Sequence, residues 1–440
     1  MLISRKLPLA AALLTILSIG VSSVVSLQIG SSAVNEKIVE KLEAVVDGRR
    51  NQLETFLSSA QQDLIATSQN TLMRIALEGF KHDWGVLGDD VTEELKRRYI
   101  TENPFPEGER ANYDTAKKPD AAKISSYDQT HERYHAQLRE IAESRGWEDF
   151  FLVDMNGNVI YSVSKNQDYA TNLKQGPWKD SGLGRVFEGI VDGNETEKTV
   201  FSDYEAYAPS NGAPAAFMGH ALNSNWGMVG VIIMRMPSAR IAEIMSNTAG
   251  LGQTGETVLL NADGYLISES VRTAEPDMLS ARIESDLLAR ARGGTIEIGD
   301  VEGYRDMHAS VAMTGVKFDG ADWTVAGLID KTEAGASMVM MRNAILGVSL
   351  LLLLGALAAS TWFSRSLSKP IEALVGDMRR LAEGDTTIEL AGENRKDARS
   401  AFSAMRPSRR SRLSARLTRP GPRPNADARI VKLPRPRKPR

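Results

Sequence analysis

The run His131-Glu132-Arg133-Tyr134-His135 has the spacing of a zinc site. On a helix, imidazoles four residues apart share one face and can hold a metal ion, with the glutamate between them as a general base. Its surroundings do not extend the pattern. Ala136 to Ile141 supplies neither the glycine nor the third histidine of a metzincin, and Glu148 falls where helix gives way to strand. Asp128 to Arg145 reads instead as an amphipathic helix closed by Gly146, with His131 and Glu132 on its polar face. A zinc metalloprotease using His131, Glu132 and His135 is kept as the lesser alternative; no catalytic residue, metal or cofactor is expected. Gly250-Leu-Gly-Gln-Thr-Gly255 lacks the Lys-Ser/Thr of a phosphate loop and reads as a linker turn.

A second group has the make-up of a small-molecule pocket, aromatic walls with a few polar anchors. It comprises Tyr161, Asp168, Tyr169 and Trp178, followed by Asp203 and Tyr207. The same residues also suit a strand core and turn caps.

The elements that must position these groups lie between two apolar stretches, residues 7–32 and 343–363, each with about the 20 apolar residues a membrane-crossing helix requires. Arg5 and Lys6 precede the first; Arg365, Lys369, Arg379 and Arg380 follow the second. Basic flanks at both outer ends place the ends in the cytoplasm and the middle outside. The first stretch is longer than a signal-peptide core and no A-x-A site follows it, so an uncleaved anchor is expected. The chain has no cysteine, which excludes disulfide and thiol chemistry.

From Ala33 to about Glu78 apolar residues recur at three- and four-residue steps, the period of a helix, which at 1.5 Å per residue would project about 65 Å from the membrane. A break is expected at Gly85 to Gly88, then a short helix over Thr92 to Tyr99 and a turn cluster over Asn103 to Gly108.

An internal repeat follows. Phe151-Leu-Val-Asp-Met-Asn-Gly157-Asn-Val-Ile-Tyr161 matches Val258-Leu-Leu-Asn-Ala-Asp-Gly264-Tyr-Leu-Ile-Ser268, each an apolar strand, an Asx-Gly turn and a second strand. Trp226-Gly-Met-Val-Gly230-Val-Ile likewise matches Trp323-Thr-Val-Ala-Gly327-Leu-Ile. Between these landmarks the first copy holds a helix over Gly182 to Val191 and a strand over Thr199 to Tyr204. The second holds a helix over Leu279 to Arg292 and strands over Gly294 to Gly299 and Ala309 to Met313. Two tandem α+β modules are expected.

On these features the chain resembles bacterial methyl-accepting chemotaxis receptors with a double Cache sensor region. The resemblance rests on the membrane-emergent helix, the paired hairpins, the Gly250 to Glu256 entry to the second copy, and the stretches Asp168 to Leu173, Ser181 to Gly184 and Tyr207 to Pro214. It implies an α+β fold of two PAS-like Cache modules on a long N-terminal helix. It also implies a homodimer in the bacterial inner membrane and a small periplasmic ligand bound in the membrane-distal module. The amine-clamping motif of the amino-acid-binding subgroup is not evident. Ser364 to Leu374 resembles the entry to a HAMP linker, and Ile371, Leu374, Met378 and Leu381 step as a short coiled-coil seam.

The resemblance stops at about Asp397. Residues 398–440 hold 14 Lys and Arg against one acid, Asp427, a local charge of +13 in a chain whose total is −3. Seven prolines from Pro407 onward forbid a long helix. The expectation is a disordered basic tail produced by a frameshift, or a tail that meets anionic lipid. No aromatic follows Phe402 to stack on bases, so no nucleic acid is expected. The kinase-contacting region of an intact receptor would then be missing and signalling lost, leaving a membrane-tethered solute-binding protein as a further alternative.

The expected organisation is a cytoplasmic N-terminus (1–6), a first span (7–32), a periplasmic helical stalk (33–149), a membrane-distal module (150–240) and a membrane-proximal module (241–340). A second span (343–363), a partial HAMP segment (364–396) and the basic tail (397–440) complete it.

Overall fold

The computed structural model describes residues 3–113 and 125–383; the basic tail and the end of the HAMP-like segment lie outside them. Residues 16–353 form one compact unit.

Helix α1 (Ile3–Ser68) and helix α8 (Lys331–Ala382) carry the two apolar stretches, with windows of mean hydropathy 2.0 and 2.2, none of it buried. Both are long and apolar enough to cross a bilayer. They meet through small residues: the Ser23 and Ser349 hydroxyls are hydrogen-bonded at 2.7 Å, and Gly30 lies directly against the Met341 thioether. Small side chains allow such close helix approach in lipid, where no hydrophobic effect drives association.

Beyond the apolar stretch α1 is not a bare stalk. Leu42, Val46, Leu53, Leu57 and Leu64 form a fully buried stripe that both sheets cover. Gly327 of the second sheet lies against Val46, and Ser68 at the helix end bonds His220 of the first at 3.0 Å. The helix also ends earlier than its periodicity suggests. Asn70 accepts the Leu72 amide at 2.9 Å and starts α2 (Thr71–Leu87), so the chain turns at Gln69-Asn70 and the apolar stride runs on in a new helix. Gly85 sits inside α2, and Gly88, at φ 72°, ends it. The short α3 (Val91–Lys96) runs into a single π-turn over Arg97–Thr101. Helix α4 (Ser126–Arg145) opens with a reciprocal Ser125–Asp128 capping box and closes on Gly146 in the left-handed region.

The first sheet comprises β1 (Asp149–Asp154), β2 (Val159–Ser162), β3 (Val200–Ala206), β4 (Pro214–Ser224) and β5 (Gly227–Arg235). It is wholly antiparallel in the order β2-β1-β5-β4-β3. Strand β4 was not read from the sequence. Helix α5 (Gly182–Val191) covers one face through Val186, Phe187 and Ile190; α2 and α4 cover the other over Phe150, Leu152 and Tyr161. After α6 (Ser238–Ser246), β6 (Glu256–Leu260), β7 (Glu297–Tyr304), β8 (Met307–Gly315) and β9 (Thr324–Asp330) form a second antiparallel sheet, β6-β9-β8-β7, with α7 (Asp286–Ala291) on it. Strand β9 passes into α8 with no intervening loop.

The duplication is visible atom by atom. Asp154 Oδ1 accepts the amides of Asn156 and Asn158; Asn261 Oδ1 accepts those of Asp263 and Tyr265. Gly157 and Gly264 follow at φ 88° and 85°, where a side chain would be strained. Strands β1, β5, β4 and β3 of the first sheet correspond to β6, β9, β8 and β7 of the second. Two expectations are corrected. The second hairpin returns through a single bridge at Leu266, and the helix expected from Leu279 onward begins only at Asp286, after its cap Ser285. The cause is that Leu279, at φ 63°, gives its amide to Leu266 carbonyl and braces that hairpin instead. The matched tryptophans also part company: Trp226 is 97% exposed in the β4–β5 turn and Trp323 is 1% exposed.

Candidate functional site

The histidine pair is buried, not solvated. His131 and His135 face the core of the first module with rings stacked at 4.1 Å, while Glu132 is exposed on the other side of α4. This corrects the placement of His131 on a polar face. His135 uses both nitrogens within the protein, Nδ1 toward Tyr161 Oη and Nε2 toward Ala111 carbonyl, each at 2.7 Å. Burial, with Lys165 nearby, lowers its pKa to about 3, so the ring stays neutral. No group of three or more His, Asp or Glu among the described residues is placed to hold a metal.

What the stacked histidines adjoin is a buried polar cluster centred on Lys165, a residue the sequence reading passed over. Lys165 is 1% exposed and has φ 55°, in the left-handed region that an L side chain enters at a cost. Its ammonium donates to Ser162 carbonyl and sits 4.3 Å from the Tyr161 ring centroid, 5.3 Å from Tyr169 and 5.9 Å from Tyr99. Ring faces attract cations, by roughly 2 kcal/mol each where water is excluded. Tyr169 Oη donates to Tyr127 Oη at 2.8 Å, and Tyr127 Oη to Ile160 carbonyl at 2.6 Å, so the cage walls are held from behind.

Two carboxylates share this enclosure. Asp149, at the start of β1, accepts the Val163 and Ser164 amides through Oδ1 at 2.8 and 3.1 Å. Asp168 accepts the Tyr207 hydroxyl through Oδ2 at 2.7 Å. Both residues are 1% exposed, and Asp149 Oδ2 and Asp168 Oδ1 have no hydrogen-bond partner among the described residues. Burial raises the pKa of Asp149 to about 7, with Asp168 adding repulsion, and that of Asp168 to about 6. Burial lowers Lys165 to about 7, outweighing the attraction of Asp149. Around the rim, Lys96 Nζ and Trp178 Nε1 donate to Gln167 carbonyl at 3.0 and 3.3 Å, Arg110 donates to Lys165 carbonyl at 3.3 Å, and Arg235 pairs with Glu148 at 2.9 Å.

Of the six residues singled out in the sequence, Tyr161, Asp168, Tyr169 and Tyr207 belong to this cluster. Trp178 stands at its rim. Asp203 does not join it: on the edge strand β3 its carboxylate accepts the Trp323 indole at 2.7 Å, linking the two modules. Lys165, Asp149, Tyr99 and Tyr127 were missed. No signal marked the first, a lysine in the polar stretch Ser164 to Asp168 between Tyr161 and Tyr169. An open groove of about 660 Å³ between α1 and α6 is lined by Arg49, Phe56, Arg240 and Glu243 and by none of these residues. The chemistry favours the closed cluster over that groove as the sensory site.

No family model matches the chain. Among curated proteins it is similar to the "Probable chemoreceptor y4sI" of Sinorhizobium fredii, 24% identical over 278 residues, 63% of this chain. The chain spans only 35% of that relative's length. Among solved structures it is similar to the sensory domains of the Campylobacter jejuni chemoreceptors Tlp1 and Tlp3. The TM-scores are 0.41 and 0.40, each at 11% identity, covering 68% and 69% of this chain and 98% of each domain. The ligand-binding domain of the Pseudomonas fluorescens chemoreceptor CtaA, in complex with L-leucine, is similar at TM-score 0.30 and 16% identity, over 60% of this chain and 99% of that one.

Proposed function

We propose that this chain senses a small solute outside the cell as a transmembrane chemotaxis receptor of the bacterial inner membrane. The first sheet with α2–α5 is the ligand-binding, membrane-distal module, and the second sheet is the membrane-proximal module that meets α8. The observation that carries the reading is the enclosed Lys165 cluster: two buried carboxylates, each with an unused oxygen, under a lid of loop backbone. Buried polar groups are ordinarily hydrogen-bonded, so unused oxygens mark a place where a ligand completes the set. The similarity to a chemoreceptor and the two exposed apolar helices that bracket the unit support the same reading.

A ligand that prefers one arrangement of the cluster shifts the population of sheet and helix positions by no more than its differential affinity. Membrane lipid surrounds α1 and α8, and a homodimer is the working form.

Two measurements test this. A reporter enzyme fused near residue 200 is active only outside the cytosol; cytosolic activity ends the proposal. The detergent-solubilised chain, screened by thermal shift against organic acids, amino acids and amines, is stabilised by at least one class, and Asp168→Ala removes that shift. A flat screen across all three classes counts against a sensory role.

A further inference from the structure

Arg50, Arg98, Arg235 and Arg305 are well buried, and each pairs with a carboxylate, those of Asp47, Asp128, Glu148 and Asp277 in turn. Arg49 on α1 is 8% exposed, and its partners are neutral. Its Nη1 donates to Gln52 Oε1 at 2.9 Å and its Nη2 to Asn247 carbonyl at 2.8 Å. Nε has no hydrogen-bond partner among the described residues. Burial lowers the Arg49 pKa below the ordinary guanidinium value with no acid to offset it. Burial acts on Arg98 too, but there Glu94 and Asp128 outweigh it.

A guanidinium stays charged and carries five N–H donors, so Arg49 has donors left over as well as an unanswered charge. A charge drawn out of water is costly unless a counter-charge meets it. Beside this one is open space, the groove of about 660 Å³ between α1 and α6. Arg49, Gln52 and Phe56 follow one face of α1 at helical spacing, and Arg240, Ile244 and Asn247 one face of α6. Phe56 is half-buried and Ile244 buried, which sets an apolar wall next to the cation. The one acid among the described lining residues, Glu243, is paired with Arg240. Arg49 stands about 25 Å along α1 from Ser32 at 1.5 Å per residue, out of reach of a lipid headgroup.

We infer that this groove is a binding site for a small organic carboxylate. The carboxylate accepts from Nε and the unused hydrogens of the Arg49 guanidinium, a charge-assisted pairing, and its hydrocarbon part lies on Phe56 and Ile244. The site goes beyond the sensory reading and does not depend on it, since no residue of the Lys165 cluster lines it. Helix α6 connects the two sheets, so an occupant bears on that connection and on α1 together.

The test is titration calorimetry on the full chain in nanodiscs with hexanoate, hexanol and inorganic phosphate. Hexanoate binds the wild type; hexanol, without the charge, and phosphate, without the tail, bind at least about tenfold more weakly. Arg49→Gln, which keeps a donor for Asn247 carbonyl, weakens hexanoate at least about tenfold. Glu243→Gln changes an exposed side chain, removes the acid of the groove and tightens hexanoate about threefold; it serves if Arg49→Gln does not fold. Hexanoate binding unchanged in Arg49→Gln makes the arginine a tether for the end of α6 and nothing more, and overturns the inference. Phosphate bound as tightly as hexanoate means an adventitious ion only, and overturns it too. Silence from all three probes does the same.

Discussion

The Trp323 indole donates to Asp203 Oδ1 at 2.7 Å, so the loop before β9 is tied to the edge strand of the other module. Phe201 meets Trp323 edge-on at 5.6 Å and Phe318 at 5.8 Å, and Tyr204 stacks on the same indole at 6.0 Å. A polar latch inside an aromatic cluster fixes one module against the other.

Trp323→Phe removes the donor and leaves Asp203 half-buried. A hydrogen bond to a charged group contributes about 1.5–3 kcal/mol, so the variant is expected to lose about 2 kcal/mol in thermal or denaturant unfolding of the solubilised chain. Asp203→Asn keeps an acceptor and is expected to cost less. A loss in Trp323→Phe with none in Asp203→Asn would assign the latch to packing alone.

The Lys165 cluster makes stability depend on pH. Asp149 and Asp168 have folded pKa values of about 7 and 6, above the unfolded 3.8, so between about pH 4 and 7 the folded chain holds protons the unfolded chain has released. Stability from these groups is greatest in acid and falls as pH rises through that window. Lys165, lowered to about 7 from 10.5, is proton-poor when folded above neutrality, so stability climbs again from about pH 7 to 10. Melting curves across this range show a shallow minimum near neutrality, which Asp149→Asn with Lys165→Met flattens. A monotonic profile contradicts the burial assigned to these groups.

Two glycines let a helix cross each sheet. A Cβ at Gly230 would stand 2.6 Å from Val153 carbonyl oxygen and 2.8 Å from Leu77; one at Gly327 would stand 2.8 Å from Val46. Overpacking costs roughly 1–3 kcal/mol. Gly230→Ala is expected at the upper end because a backbone atom cannot step aside, and Gly327→Ala at the lower end because Val46 can rotate. Denaturation midpoints rank the two; the reverse order would show that β1 yields more easily than α1.

His135→Phe leaves Tyr161 Oη without its 2.7 Å partner, while Ala111 carbonyl keeps Arg139 at 3.0 Å. A buried orphan costs about 1–3 kcal/mol, so the variant melts below the wild type. Zinc or a chelator leaves the wild-type melting temperature unchanged, since both imidazole nitrogens of His135 are already committed. A zinc-dependent shift would reopen the hydrolase reading.

The duplicated hairpins were legible because an Asx side chain and a glycine at positive φ are local requirements, met in the same order at Asp154-Gly157 and Asn261-Gly264. The turn at Asn70 was not. The apolar stride runs through Leu64, Leu72 and Ile75, and only tertiary packing decides that the chain reverses there. Lys165 escaped notice because a lysine is normally surface, and its burial depends on tyrosines contributed by three separate segments. Trp226 and Trp323 share a motif, yet one faces solvent and the other the neighbouring module, so a repeat transmits backbone position without fixing environment.

The direct passage of β9 into α8 has a mechanical result. Glu333, in the first turn of α8, accepts the amides of Gln253 and Thr254 at 2.7 Å, clamping the junction to the loop ahead of β6. A rod so fastened has no slack. From Lys331 to Leu352 it extends about 32 Å at 1.5 Å per residue, so a small axial slip of the strand reaches the apolar turns of α8 at full amplitude.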